Sequence, residues 1–124
     1  MRILIVDDEE IVIENLTCFL NARGHTVSGM TWIDVNQLQR QLDELEPWGV
    51  ILDFEMATPG DVVFRRLREW RAHLPIVFYT KYALSPDRRI IMEGLGAKDN
   101  HIIPKKEIGF AEVDCILAGL ESQR

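Results

Sequence analysis

Asp7 and Asp8 stand side by side in ILIVDDEE, and a third aspartate, Asp53, stands in VILDFEM. Each position follows directly on an aliphatic run. Thr80 ends IVFYT in the same manner, and Lys105 comes shortly after another apolar run, in IIPKK. Carboxylates crowded together repel one another unless protons or a cation intervene, so a divalent ion is the expected companion. An all-oxygen set without His or Cys favours magnesium over zinc. A cation beside a carboxylate, a hydroxyl and an ammonium is equipment for handling a phosphoryl group. Asp53 is then the candidate nucleophile, one that would form an aspartyl phosphate.

Such residues meet only if a sheet positions them. Five short apolar runs, Arg2–Val6, Thr26–Met30, Val50–Leu52, Ile76–Tyr79 and His101–Ile103, alternate with longer segments of helical period. Continuously apolar runs such as ILIV, VIL and IVFY suit strands covered on both faces, whereas TVSGM alternates as an edge strand does. Helical stripes lie between them: Val12, Leu16, Phe19 and Leu20 before Gly24; Val35, Leu38, Leu42 and Leu45 after Asp34 and before Pro47; Val63, Phe64, Leu67 and Trp70 after Pro59-Gly60. A fourth helix opens at Ser85-Pro86 with Ile90, Ile91 and Leu95 inward, and a fifth runs from about Ile108 to Gln123 on Val113, Ile116, Leu117 and Leu120. Asp34 is a good N-cap and Gly24 a good C-terminal residue. This (βα)5 order predicts a parallel α/β sheet with right-handed crossovers and helices on both faces. Its active site belongs at the carboxyl ends of the strands, where Asp7, Asp8, Asp53, Thr80 and Lys105 fall.

At 124 residues, 47% hydrophobic and 27% charged, the chain has the composition of one ordinary globular domain. A net charge of −6 leaves no basic surplus for direct nucleic-acid binding. No apolar run approaches the roughly 20 residues that span a bilayer, and the acids after Val6 exclude a signal peptide, so a cytoplasmic location is expected. Cys18 and Cys115 lack metal-ligand spacing and read as packing or surface thiols.

IVDDEE, VILDFEM, IVFYT and IIPKK together resemble the receiver domain of two-component response regulators, over the whole chain. The resemblance implies a flavodoxin-like, doubly wound sheet of strand order 2-1-3-4-5, one receiver domain spanning residues 1–124 and no output domain in the chain. It implies that Asp53 accepts a phosphoryl group from a histidine kinase or histidine phosphotransfer protein. Mg2+ would be held by Asp7, Asp8, Asp53 and the backbone carbonyl of Glu55, while Thr80 and Lys105 bind phosphoryl oxygens. Phosphorylation would draw Thr80 toward the phosphoryl group and shift the face formed by the fourth helix, fifth strand and fifth helix between two states. The output would be altered binding to a downstream protein or to a second copy of itself.

The sequence departs from the family pattern in three places. Proline precedes the lysine, in Ile103-Pro104-Lys105-Lys106, which makes Lys106 the alternative to Lys105. Lys81 stands where the family has a small residue; a long cation there would shield an acyl phosphate from water, and Glu55 could pair with it. The aromatic switch of the fifth strand is missing, with His101 or Asn100 nearest its place and Tyr79 or Tyr82 as substitutes. Taken singly, Asp7-Asp8 also reads as a helix cap, Asp53 and Thr80 as turn residues and the lysines as a solvated pair. Two rivals follow: a pseudo-receiver that binds partners without productive phosphorylation, and a haloacid-dehalogenase-type phosphatase, which DFEMAT resembles in part. Against the latter, the second acid is Glu55 and the nucleophile is not on the first strand.

Overall fold

The computed structural model describes residues 1–31, 34–56, 59–98, 101–105 and 107–122, with residues 35, 107–109 and 120–122 as backbone only. The elements alternate throughout: β1 (Arg2–Val6), α1 (Glu10–Ala22), β2 (Thr26–Met30), α2 (Val35–Leu45), β3 (Gly49–Leu52), α3 (Gly60–Trp70), β4 (Ile76–Thr80), α4 (Pro86–Gly94), β5 (Ile102–Pro104) and α5 (Glu107–Ser122). All strand pairs are parallel, in the order β2-β1-β3-β4-β5. This is the flavodoxin-like doubly wound fold, with order reversing between β1 and β3.

Successive strand residues face opposite sides of a sheet, and here each side feeds its own core. Leu4, Val6, Val50, Leu52, Ile76 and Phe78 pack with Leu38 and Leu42 of α2, Val63, Phe64 and Leu67 of α3, and Met92 of α4. Ile3, Ile5, Ile51, Val77 and Tyr79 pack with Leu16 and Leu20 of α1 and Val113 and Leu117 of α5. β3 and β4 are therefore buried along their whole length, while edge strand β2 is partly exposed, with Met30 its one buried residue. Local chemistry sets the helix ends. The Asp34 carboxylate accepts the Asn36 N–H at 2.8 Å to start α2, Pro86 opens α4, and Gly24 takes φ +88° just beyond α1.

Two sequence expectations need correction. β5 is Ile102–Pro104 rather than His101–Ile103, and Pro104 is its last residue. Alternate residues of a parallel strand face the same neighbour, and the Lys105 N–H donates to the Thr80 carbonyl at 3.1 Å. Pro104 therefore faces the open edge, where its missing N–H costs nothing. In α4, Ile90 and Ile91 are 68% and 47% exposed, not inward. Met92 is the fully buried residue of that helix, and the Arg89 Nη1 donates to the Ala83 carbonyl at 2.6 Å, pinning the helix in this phase. Both cysteines are free and exposed. Among the described residues, no helix is long and apolar enough to cross a membrane. Trp32, Asn100, Lys106 and Gln123, and the side chains of Val35, Ile108 and Leu120, lie outside the described residues.

Candidate functional site

The sheet's hydrogen-bond ladder continues one residue past three strands and so fixes the backbone of the site. The Asp7 N–H donates to the Met30 carbonyl at 3.1 Å, the Asp53 N–H to the Val6 carbonyl at 3.0 Å, and the Lys105 N–H to the Thr80 carbonyl at 3.1 Å. Each of these residues begins a loop, and one ladder hydrogen bond ties each to the neighbouring strand. The packing of α3 closes the floor. Gly60 comes so near that an added Cβ would lie 2.6 Å from the Asp53 carbonyl oxygen and 2.6 Å from Phe54 Cα. Only a residue without a side chain fits there.

Asp7, Asp8 and Asp53 each bring a carboxylate oxygen within 4.8 Å of the others. Asp7 and Asp53 are buried, at 3% and 4% exposure, and Asp8 is exposed at the mouth. Lys105 reaches between the two buried acids. Its Nζ lies 2.9 Å from Asp7 Oδ2, 3.2 Å from Asp53 Oδ2 and 3.6 Å from Glu9 Oε1. The other Asp7 oxygen, Oδ1, accepts the Glu9 N–H at 2.9 Å, turning the chain into α1.

Burial governs the electrostatics. It pushes the Asp53 carboxyl up to about 6, with the Asp7 charge adding to the rise and Lys105 opposing it. Burial likewise raises Asp7, against the hydrogen bond from Lys105 and the one from the Glu9 N–H. Lys105 is pulled down by burial, but its hydrogen bond to Asp7 and the charges of Asp53 and Asp7 outweigh this and hold it above its ordinary value. Tyr79, next to Thr80, is pushed up to about 12 chiefly by burial, so its phenol keeps its proton. One ammonium among three carboxylates leaves the site net anionic. The donor set, all hard oxygen, fits a divalent cation such as Mg2+.

Thr80 is fully buried, and its Oγ1 accepts the Tyr82 N–H at 3.2 Å. That bond uses an oxygen lone pair and leaves the hydroxyl proton available to donate. Glu55, in the loop after β3, does not pair with Lys81. Its Oε1 accepts a hydrogen bond from Arg88 Nε at 3.2 Å, while the Lys81 ammonium lies 5.4 Å from the centre of the Tyr82 ring. Arg88, from the first turn of α4, was invisible to sequence reasoning, because nothing but the fold brings a residue 33 positions away to Glu55.

The structure does not bring His101 to this cluster. His101 occupies a single turn before β5, at the opposite end of the strand from Lys105, about 13 Å away at the usual rise per residue. Burial, Lys98 and Arg68 hold its imidazole below the ordinary value. Lys106 and Asn100, the alternatives at these places, fall outside the described residues.

A family profile described as the response regulator receiver domain matches residues 3–112. No curated protein matches the chain at a significant level. Among solved structures, a response regulator receiver domain protein (CheY-like) from Methanospirillum hungatei JF-1 is 20% identical, with a TM-score of 0.80 over 98% of this chain and 94% of that one. A two-component response regulator of the LuxR family from Aurantimonas sp. SI85-9A1 is 26% identical, with a TM-score of 0.73 over 95% and 85% of the two chains. A receiver domain protein from Clostridium thermocellum is 20% identical, with a TM-score of 0.77 over 95% and 91%.

Proposed function

This chain belongs to the response regulator receiver domain family, and we propose that its Asp53 accepts a phosphoryl group from the phosphohistidine of a histidine kinase or phosphotransfer protein. Members of the family are phosphoacceptor switches rather than turnover enzymes. The reading is supported above all by Lys105, whose ammonium lies within hydrogen-bond reach of both Asp7 and Asp53 in a buried site. Neither a solvated lysine nor a helix-capping aspartate requires that arrangement.

Asp7, Asp8, Asp53 and the Glu55 carbonyl would hold Mg2+, which supplies charge neutralisation for the incoming phosphoryl oxygens. The chain's own groups do the rest. At neutral pH the Asp53 carboxyl, pushed up to about 6, is mostly ionised and nucleophilic. One of its oxygens forms the bond to phosphorus as the phosphorus–nitrogen bond of the donor breaks; the imidazole leaves with that electron pair and takes a proton from solvent. Lys105 shifts its hydrogen bond from the carboxylate to the transferred group, and the Thr80 hydroxyl donates its proton to a phosphoryl oxygen. Attack of water on phosphorus later returns Asp53 and inorganic phosphate.

Movement of Thr80 would be felt in α4, which begins a few residues later and exposes Ile90 at 68%, with Leu84 before it at 76%. These side chains are exposed apolar surface at α4 that a downstream protein or a second copy would cover. Labelling by a small phosphodonor with Mg2+, compared between the wild type and Asp53→Asn, tests the reading. Equal labelling of both proteins overturns it. No labelling and no response to beryllofluoride would leave the pseudo-receiver in its place.

A further inference from the structure

Arg88 belongs to none of the motifs above, yet it touches both loops that flank Asp53. Its Nε donates to Glu55 Oε1 at 3.2 Å, on the loop after β3. Its guanidinium carbon lies 4.9 Å from the centre of the Tyr82 ring, on the turn after β4. That turn is the one in which the Tyr82 N–H holds Thr80 Oγ1 at 3.2 Å and so fixes which way the hydroxyl donates. Lys81 also places its ammonium 5.4 Å from the same ring centre. A planar guanidinium can pair with a carboxylate in its plane and stack on a ring with its face; an ammonium cannot do both.

We propose that Arg88 is a positioning residue for chemistry at Asp53: it ties the Glu55 loop to the Thr80–Tyr82 turn. The inference rests on the phosphoacceptor reading, in which the first loop supplies a metal-binding carbonyl and the second the phosphoryl-binding hydroxyl. Loops are the part of a fold that opens most easily, so a side chain that bridges two of them limits how far the site's ligands wander. Arg88 is well placed to do this without carrying the fold. Its side chain is 42% exposed and lines, with Glu55 and Ile91, an open groove of about 300 Å³, so truncation leaves no hole in either core.

The test measures Mg2+ affinity of the unphosphorylated protein and beryllofluoride affinity in saturating Mg2+, by calorimetry, alongside thermal stability. Arg88→Ala should weaken beryllofluoride binding up to about fivefold, the size expected of one exposed ion pair plus one cation–π contact, with the melting temperature lowered by no more than about 5 °C. It should weaken Mg2+ binding in the same direction. Arg88→Lys should recover only part of the loss. In a background of Glu55→Gln and Tyr82→Ala, Arg88→Ala should cost nothing more. Wild-type affinities in Arg88→Ala, or the same loss in that background, overturn the proposal. If the wild type itself fails to bind beryllofluoride, the phosphoacceptor reading falls. The Mg2+ affinity of Arg88→Ala then decides for Arg88 by itself, weakened binding supporting the role and unchanged binding removing it.

Discussion

Lys105 and Asp53, 52 residues apart in the chain, meet through a hydrogen bond of 3.2 Å, with side chains only 8% and 5% exposed. A carboxylate pair buried this deeply needs its counter-charge, and in the ion-free protein the lysine supplies it. Lys105→Ala should therefore destabilise the metal-free protein by about 3 kcal/mol at about pH 8, the cost of leaving buried charge unpaired. The loss should shrink at lower pH, where Asp53, at about 6, takes up a proton. Added Mg2+ should restore part of it. Denaturant unfolding across pH, with and without Mg2+, measures all of this, and a pH-independent loss would mean that the lysine acts through packing alone.

Asp53 itself should weaken the fold at neutral pH. Its carboxyl moves from 3.8 to about 6 on folding, chiefly through burial and then the Asp7 charge. The native state therefore holds a proton more tightly than the unfolded chain, and stability falls as pH rises through about 6. Asp53→Asn removes the charge and should be more stable by up to about 3 kcal/mol at about pH 8 without divalent ions. The advantage should vanish below 3.8, toward about pH 3, where the wild-type carboxyl is neutral in both states. Mg2+ should stabilise the wild type more than the variant, so the two melting curves converge as the ion is added.

The strand ends were legible because an aliphatic run cannot continue into charge without leaving the core; Asp7 and Asp53 could be placed on that ground alone. The choice between Lys105 and Lys106 was not open to the same argument. It depends on Pro104 being the last residue of β5, tolerated because that strand has an open edge. The phase of α4 was misread because hydropathy favours Ile90 and Ile91 over Met92, whereas the Arg89 bond to Ala83 and the burial of Met92 fix the helix the other way. The pairing of Glu55 with Arg88 rather than Lys81 joins the loop after β3 to the first turn of α4, and no local pattern encodes such a contact.

Lys81 sits over the Tyr82 ring, 5.4 Å from its centre. Leaving that ring costs about 0.5–1 kcal/mol at an exposed site. A charge-assisted hydrogen bond to an acyl phosphate returns about 1.5–3 kcal/mol. The exchange is favourable once Asp53 is phosphorylated, so Lys81 should then cover the phosphoryl group and slow attack by water. Lys81→Ala is expected to lose phosphate about fivefold faster, the equivalent of about 1 kcal/mol in the barrier. The decay of labelled protein after removal of the phosphodonor measures it, and an unchanged half-life would remove Lys81 from the mechanism.

Two glycine substitutions separate the site from the rest of the fold. At Gly60 a Cβ would meet the Asp53 carbonyl oxygen at 2.6 Å, Phe54 Cα at 2.6 Å and the Phe54 carbonyl oxygen at 2.7 Å. All three are backbone atoms, and the Phe54 carbonyl already accepts the Gly60 N–H at 2.8 Å, so no side chain can swing aside. Either α3 retreats or the segment carrying Asp53 moves, and overpacking of this kind costs about 1–3 kcal/mol. The segment should give way first, since β3 ends at Leu52 while α3 is anchored by the buried Val63, Phe64 and Leu67. Gly60→Ala should thus lose Mg2+ and beryllofluoride binding out of proportion to its loss of stability. Gly94, in α4, has nothing within 4 Å of an added Cβ. There, at the last residue of α4, alanine should only improve helix propensity, stabilising by at most about 0.5 kcal/mol and leaving both affinities at the wild-type value. Equal stability losses from the two substitutions, or wild-type Mg2+ affinity in Gly60→Ala, would show that the approach of α3 does not hold Asp53 in place.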